Sequence, residues 1–428
     1  MCGLFGWVSY ERHLGSSEIA AAQQAVASLN HRGPDARGEW IDDLVYMGHR
    51  RLSIIDISEE SNQPFHDQTG RYVLSYNGEV YNYVELRKEL EAQGYRFRTQ
   101  SDTEVVLVAL IAWGETALRR FDGMFALAFH DRHTRTHLIA RDPLGQKPMY
   151  YAGGPAGVIY ASELGSLLKL NYAESWGWTR RLDRSAFRTY LMFGYYPRDM
   201  TPVSGIKKLL PGTVMRIESG QIVQTRYWDS VPGDGISPRS MNDAIDEFDE
   251  LFDRSCHQSM RSDVPYGVFL SGGIDSSLVV QSCQSVNSVI QSYCLAMSEA
   301  DFDESQKASA VARHLGLANA RTFVMDERAV RDGIADCFAR MDEPHGDPGL
   351  VNAYVLSRAA RPFITVALAG DGGDELFAGY APFAGLAGVS LFDAMPDSII
   401  DGLRRAARLV PGGDGYVDLR FKLNAYLQ

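Results

Sequence analysis

The second residue of the chain is a cysteine, and that position gives it chemistry that an internal cysteine lacks. Once Met1 is removed, Cys2 carries a thiol and a free α-amine on one residue. The amine, with an ordinary pKa of about 7.7–8.0, can then act as the thiol's general base. The plainer reading is a small buried residue. A second reactive stretch is Leu270-Ser271-Gly272-Gly273-Ile274-Asp275-Ser276-Ser277, where an apolar run gives way to helical periodicity. Glycines there let the backbone approach an anion, serines add hydroxyl donors, and a helix N-terminus offers unpaired N–H groups. The stretch therefore reads as a phosphate cradle, although it lacks the GxxxxGK[ST] spacing. The bland alternative is a helix N-cap after a tight turn. A third stretch, Ala369-Gly370-Asp371-Gly372-Gly373-Asp374-Glu375, crowds three carboxylates onto a glycine loop. Such charges repel unless a cation offsets them. A divalent metal beside a polyphosphate would do so, and carboxylate and phosphate oxygens suit Mg²⁺. By charge alone the cluster could equally be an acidic surface turn.

These residues need elements to position them. Up to about Tyr227, β-rich runs alternate with turn signals, and strands are expected at Val45–Met47, Tyr72–Tyr76, Phe125–His130, His137–Ala140 and Val158–Ala161. Helices are expected at Ser17–Asn30, Tyr83–Gln93 and Thr103–Trp113. Residues 2–227 thus read as an α+β sandwich. Residues 228–240, rich in Gly, Pro, Ser and Asp, read as a linker. From Met241 the pattern becomes strand, loop and helix in repetition. Strands are expected at Tyr266–Leu270, Ser292–Met297, Arg321–Met325 and Phe363–Ala369, which predicts a doubly wound parallel sheet over 241–428.

A chain of 428 residues is long enough for two or three domains. With 45% hydrophobic and 22% charged residues, it has the composition of a soluble protein. A formal net charge of −12 argues against nucleic acid as a partner, and no apolar run of about 18 residues suggests a membrane span. The five cysteines are scattered without a CxxC pair, so disulfides and structural zinc are not expected. The first residues lack a secretory pattern, which predicts a cytoplasmic location.

The segments Cys2–Gly6, His31-Arg32-Gly33-Pro34-Asp35, His49–Ile54, Tyr76-Asn77-Gly78-Glu79-Val80-Tyr81-Asn82, Ser101–Glu104 and Arg141–Pro148 occur in that order. In this the chain resembles the class II glutamine amidotransferases. The SGGIDSS loop resembles that of the N-type ATP pyrophosphatases, and the whole resembles the glutamine-hydrolysing asparagine synthetases. The resemblance implies an α+β N-terminal nucleophile (Ntn) hydrolase sandwich followed by an α/β doubly wound parallel-sheet ATP pyrophosphatase domain. Cys2 would attack the glutamine amide carbonyl, with the Asn77 side chain and the Gly78 N–H as oxyanion hole. Donors of that kind can each be worth about 3–4 kcal/mol of barrier. Arg51 would grip the α-carboxylate, Asp102 would receive the α-ammonium, and Glu79 would add a glutamine contact. Taken singly, Arg51 could be a surface ion-pair residue, Asp102 a helix cap, and Asn77-Gly78 a hairpin turn.

For the second half the resemblance implies ATP contacts from Leu270, Ser271, Gly272, Gly273, Ser276, Leu295, Ala369 and Gly370. Asp275 and Asp374 would hold Mg²⁺. Asp371, where many relatives carry Glu, would assist formation of an acyl-adenylate. The implied reaction is attack of an aspartate β-carboxylate on ATP, followed by capture of β-aspartyl-AMP by ammonia arriving through an internal tunnel. Another acid could replace aspartate, and a glutaminase or binding protein without synthesis is the third alternative. Small molecules are the expected partners, and a homodimer is among the assemblies the resemblance allows. Ala369 stands where serine is common. A later basic residue and an ExRxPFLD-like segment are absent before Gln428, so the second half is expected to be incomplete.

Overall fold

Seven consecutive residues, Gly3–Ser9, are all buried and form strand β1. A strand covered on both faces shows no apolar–polar alternation, which is why period-two patterning passes over it. The computed structural model describes residues 1–10, 13–170, 176–229, 239–299, 302–380, 383 and 396–407. Most of the expected linker, at 230–238, and residues 408–428 lie outside the described residues.

Helix α1 (Ser16–Ser28) follows β1, then β2 (Ala36–Ile41), β3 (Val45–Arg51), β4 (Phe65–His66) and β5 (Tyr72–Val80). Next come α2 (Tyr83–Ala92), α3 (Asp102–Trp113), β6 (Gly123–Asp131), β7 (Thr136–Arg141), β8 (Tyr150–Gly154) and β9 (Gly157–Ala161). Helices α4 (Leu164–Leu167) and α5 (Arg184–Phe193) precede β10 (Lys207–Lys208), β11 (Thr213–Glu218) and β12 (Gln221–Arg226). Two six-stranded sheets result, ordered β10-β8-β9-β1-β3-β2 and β12-β11-β7-β6-β5-β4, with antiparallel pairing in both. Leu4, Val8 and Met47 of the first sheet share a core with Val73, Ala126, Ile139 and Met215 of the second. Ala22, Ala25 and Val26 of α1 pack with residues of the first sheet, and Leu86, Leu90 and Val105–Leu110 of α2 and α3 with the second. This is the expected α+β sandwich.

The register brings the reactive positions together. Gly3 lies opposite Arg50 and Leu4 opposite His49, so Cys2 falls at the level of Arg51. Asn77 and Gly78 are not a hairpin turn: they sit inside β5, opposite Ala126 and Phe125 of β6. Gly78 has a steric reason for being glycine, because a Cβ there would stand 2.2 Å from the carbonyl oxygen of Met124.

The second half opens with α6 (Met241–Ser259) and continues as β13 (Tyr266–Phe269), α7 (Ile274–Val286), β14 (Gln291–Met297), α8 (Ser305–His314) and β15 (Asn319–Met325). Helices α9 (Glu327–Arg340) and α10 (Gly349–Ala360) then lead to β16 (Val366–Leu368). The four strands are parallel in the order β15-β14-β13-β16. Separate clusters cover the sheet: Cys256, Val279 and Val280 with Val268, and Ala360 and Ile364 with Tyr293. Among the described residues no helix is long and apolar enough to cross a membrane.

Candidate active site

Cys2, Arg51, Asn77, Gly78, Glu79 and Asp102 converge on one cavity of about 310 Å³. All six are positions the sequence singles out. Thr365, Val366 and Ala367 of the parallel-sheet half also line it, so the cavity reaches the junction of the two halves. Asp263 ties that junction: its N–H donates to the Ile54 carbonyl at 2.9 Å, and its carboxylate accepts from Asp56 N at 2.7 Å. Arg261 forms a bidentate pair with Glu85 at 2.6 and 2.7 Å.

The Cys2 thiol donates to the Leu52 carbonyl at 3.7 Å and accepts from the Leu52 N–H at 3.4 Å. Burial pushes its pKa up, while the neighbouring amine and the Leu52 bond pull it down. Here that amine belongs to Met1, and burial lowers it to about 6, leaving it largely neutral near pH 7 and able to take a proton. Asn77 is 1% exposed, and neither its Oδ1 nor its Nδ2 has a protein partner. A buried polar group left unpaired costs about 1–3 kcal/mol, so an orphaned amide facing a cavity is poised for a ligand.

Arg51 is 4% exposed, which removes the surface ion-pair reading. Its Nη1 donates to the Ser58 carbonyl at 2.7 Å and to Asn62 Oδ1 at 3.0 Å, and its Nη2 to the Ile55 carbonyl at 3.4 Å and the Asp56 carbonyl. Those bonds organise the loop beside Cys2, and a carboxylate held by both Nη atoms would have to replace some of them. Asp102 is not the helix cap, because Ser101 fills that role by accepting from Thr103 N. The Asp102 carboxylate instead accepts from Tyr76 Oη at 2.9 Å and Val80 N at 3.2 Å. Burial raises its pKa to about 6 despite these donors. Glu79 is raised to about 7, by burial and then by the Asp102 charge, with Lys147 opposing. Lys147 also lines the cavity. Sequence reasoning quoted it only within the Arg141–Pro148 segment and gave it no role.

The second group of residues meets at the carboxyl ends of β13 and β16, adjacent strands of the parallel sheet. Ser271 Oγ lies 3.0 Å from Ser276 Oγ, Gly273 N donates to Ser271 Oγ at 3.2 Å, and Ser277 Oγ donates to the Gly273 carbonyl at 2.6 Å. Gly272 has φ +81°, where a side chain would be strained. The loop after β16 presses against this one: a Cβ on Gly370 would sit 2.8 Å from Ser276 N, and one on Gly373 2.5 Å from Asp275 Cγ. Asp275 therefore adjoins the residue before Asp374, while Asp371 is exposed and Ala369 half-buried. Leu295 is half-buried, whereas Leu270 is buried in a cluster with Cys294, Ala308 and Ala312. The Leu270 side chain is thus core. Among the described residues no group of three or more His, Cys, Asp or Glu side chains could hold a metal by itself. Two carboxylates on abutting glycine loops suit Mg²⁺, which draws its other ligands from substrate phosphates and water.

An antiparallel sandwich with Cys2 in a cavity of about 310 Å³, joined to a parallel sheet with glycine loops at its strand ends, is a two-part architecture. The glutamine amidotransferase domain family matches residues 1–228, more than half the chain, and the asparagine synthase family matches residues 247–417. A putative glutamine-hydrolysing asparagine synthetase of Mycobacterium tuberculosis is 35% identical over 432 residues, covering 96% of this chain and 65% of that protein. Asparagine synthetase 1 of Bacillus subtilis is 33% identical over 421 residues, covering 96% and 64%. A putative asparagine synthetase of Methanocaldococcus jannaschii is 30% identical over 401 residues, covering 89% and 76%. The chain belongs to the glutamine-hydrolysing asparagine synthetase family, and it spans just under two thirds of the length of the mycobacterial and Bacillus relatives.

Proposed function

We propose that this chain releases ammonia from glutamine at Cys2 and delivers it to aspartate activated by ATP, giving asparagine, glutamate, AMP and pyrophosphate. The observation that carries this reading is the cavity in which the Cys2 thiol and an orphaned asparagine amide meet, with a strand of the parallel-sheet half in its wall. The Cys2 sulfur attacks the amide carbon and its proton passes to the amine, which is Cys2's own once Met1 has left. Asn77 Nδ2 and Gly78 N–H take the charge that develops on the carbonyl oxygen. Ammonia leaves with the proton from the amine, and water then cleaves the thioester to glutamate. Asp102 and Glu79 receive the α-ammonium, and Arg51 receives the α-carboxylate in exchange for loop carbonyls.

In the other half, Ser271, Gly272, Gly273 and Ser276 cradle the phosphates at the N-terminus of α7, with Ala369, Gly370 and Leu295 at its edges. The aspartate β-carboxylate attacks the α-phosphorus, pyrophosphate departs, and ammonia displaces AMP from the acyl carbon. Asp275 and Asp374 would hold Mg²⁺, which supplies positive charge against the phosphates, and Asp371 would steer the adenylate. Support comes from the abutting of the two glycine loops.

The test is to incubate the chain with glutamine, ATP, Mg²⁺ and aspartate, and to follow glutamate, AMP and asparagine by mass spectrometry. Equal yields of AMP and asparagine are expected. AMP formed only with a different acid would move the acceptor, and no AMP with any acid would remove the synthetase reading. Cys2→Ala should abolish glutamate release and leave ammonia-driven AMP formation intact. Active protein whose intact mass still includes Met1 would overturn the proposed role of the Cys2 amine.

A further inference from the structure

The loop Met341–Pro348 joins α9 to α10 in the parallel-sheet half, yet its acidic side chains bind the other half. Asp342 Oδ2 accepts from Leu164 N at 2.9 Å and Oδ1 from Gly165 N at 2.7 Å. Glu343 accepts from Lys208 Nζ at 3.0 Å, and Gly346 N donates to the Gly194 carbonyl at 2.7 Å. Charge-assisted bonds of this length are about twice as strong as neutral ones, so the loop is firmly held.

What Asp342 grips is the far side of the glutamine site. Ser162 is bound to Leu4 in both directions, Leu4 N to Ser162 Oγ and Ser162 N to Leu4 O, each at 2.9 Å. Glu163 Oε1 accepts from His31 Nε2 at 2.7 Å and from Arg32 Nη1 at 3.1 Å. Arg32 in turn donates from Nε to the carbonyl of Cys2 at 2.9 Å. Arg32 and Glu163 are largely shielded, with side chains 9% and 14% exposed, which strengthens this path. One four-residue segment, Ser162–Gly165, is therefore fastened to the nucleophile's strand at one end and to Asp342 at the other. Downstream, α10 runs on to β16 and the Gly370 loop.

We propose that Asp342 is a positioning residue for Cys2 supplied by the parallel-sheet half. This rests on the reading that Cys2 attacks glutamine. Asp342 touches no reacting atom; it fixes the segment that holds Arg32 and so the Cys2 carbonyl.

The test compares the full chain with Asp342→Ala, Asp342→Asn and Lys208→Ala. Two quantities are measured: the rate of Cys2 alkylation by iodoacetamide, read by peptide mass, and kcat and KM for glutamine hydrolysis. Asp342→Ala should lower kcat about tenfold with KM within threefold, and should change the alkylation rate of Cys2 threefold or more. Asp342→Asn keeps one acceptor oxygen and should fall between. Lys208→Ala, which breaks the neighbouring Glu343 contact and the Lys208 bond to the Tyr196 carbonyl but leaves Asp342 in place, should stay within twofold of the unmodified chain. The proposal is overturned if Asp342→Ala matches the unmodified chain or if Lys208→Ala reproduces its losses. A chain whose Cys2 is alkylated but which releases no glutamate would instead refute the glutaminase reading, with the alkylation rates still deciding the role of Asp342.

Discussion

The two candidate sites are built in opposite ways. The candidate glutamine site is built inside a sandwich: Asn77 and Glu79 on β5, Arg51 at the end of β3 and Asp102 at the start of α3 are each no more than 6% exposed, and their geometry is fixed by register and by buried hydrogen bonds. The candidate nucleotide site is made of glycine loops at the carboxyl ends of β13 and β16, where Gly273 and Asp371 are exposed. Burial leaves the first site with an orphaned amide facing its cavity. In the proposed reaction the second is completed by phosphate and metal. Preorganised donors raise kcat, whereas loops organised by ligand make binding and catalysis rise together.

That contrast can be broken at either site. Asp275→Asn is expected to have the largest effect, reducing ammonia-dependent AMP formation to background while glutamate release from glutamine alone stays within twofold; equal losses in both assays would mean the sites are not separable in this way. Asn77→Ala should lower kcat for glutamine hydrolysis by about 10²–10³ with little change in KM, since its donor serves the oxyanion. A rise in KM at constant kcat would make Asn77 a ground-state binder. Unlike the Asp275 variant, this one should leave ammonia-dependent AMP formation unchanged.

Legibility in the sequence follows the same division. The strand–turn–helix that carries the candidate phosphate loop could be read directly, because Gly272, Gly273, Asp275 and Ser276 fall within five residues and such an order is a local property. The glutamine residues are separated by up to a hundred positions, and only the pairing of β1 with β3 and of β5 with β6 gathers them. Propensity misled at Asn77-Gly78, a dipeptide typical of hairpins, because tight pairing with Met124 and Phe125 requires glycine for clearance rather than for a turn. It was silent on β1, whose two covered faces erase alternation. Asp342, Glu163 and Lys147 could not be given roles from sequence, since a carboxylate that caps a distant backbone leaves no spacing signal.

The pH response sharpens the picture of the buried site. An ammonium group prefers ionised carboxylates, so glutamine binding should weaken as pH falls through the pKa of about 6 at Asp102 and about 7 at Glu79. For a single group near 6, the ionised fraction drops about tenfold between pH 7 and pH 5, and KM should rise by at least that factor; a flat KM over this interval would mean the carboxylates do not meet the ammonium.

The smallest effect expected is on stability, and its sign is unusual for a carboxylate. Asp102 has a folded pKa of about 6, above its ordinary value of 3.8, because burial penalises the charge more than Tyr76 and Val80 compensate it. Its favourable contribution is therefore present below pH 3.8 and is lost as pH rises through 6, so at pH 7.5 the folded state carries the cost of a buried anion. In Asp102→Asn a carboxamide oxygen can still accept from Tyr76 and Val80, and the charge is gone. The variant should melt a few degrees higher at pH 7.5, at about 2–4 °C per kcal/mol for a domain of this size, with the gain shrinking towards pH 4. The same substitution should raise the KM for glutamine, which would make Asp102 a position where the fold gives up stability to recognise its substrate. A lower melting temperature at pH 7.5 would show that the hydrogen bonds outweigh the desolvation.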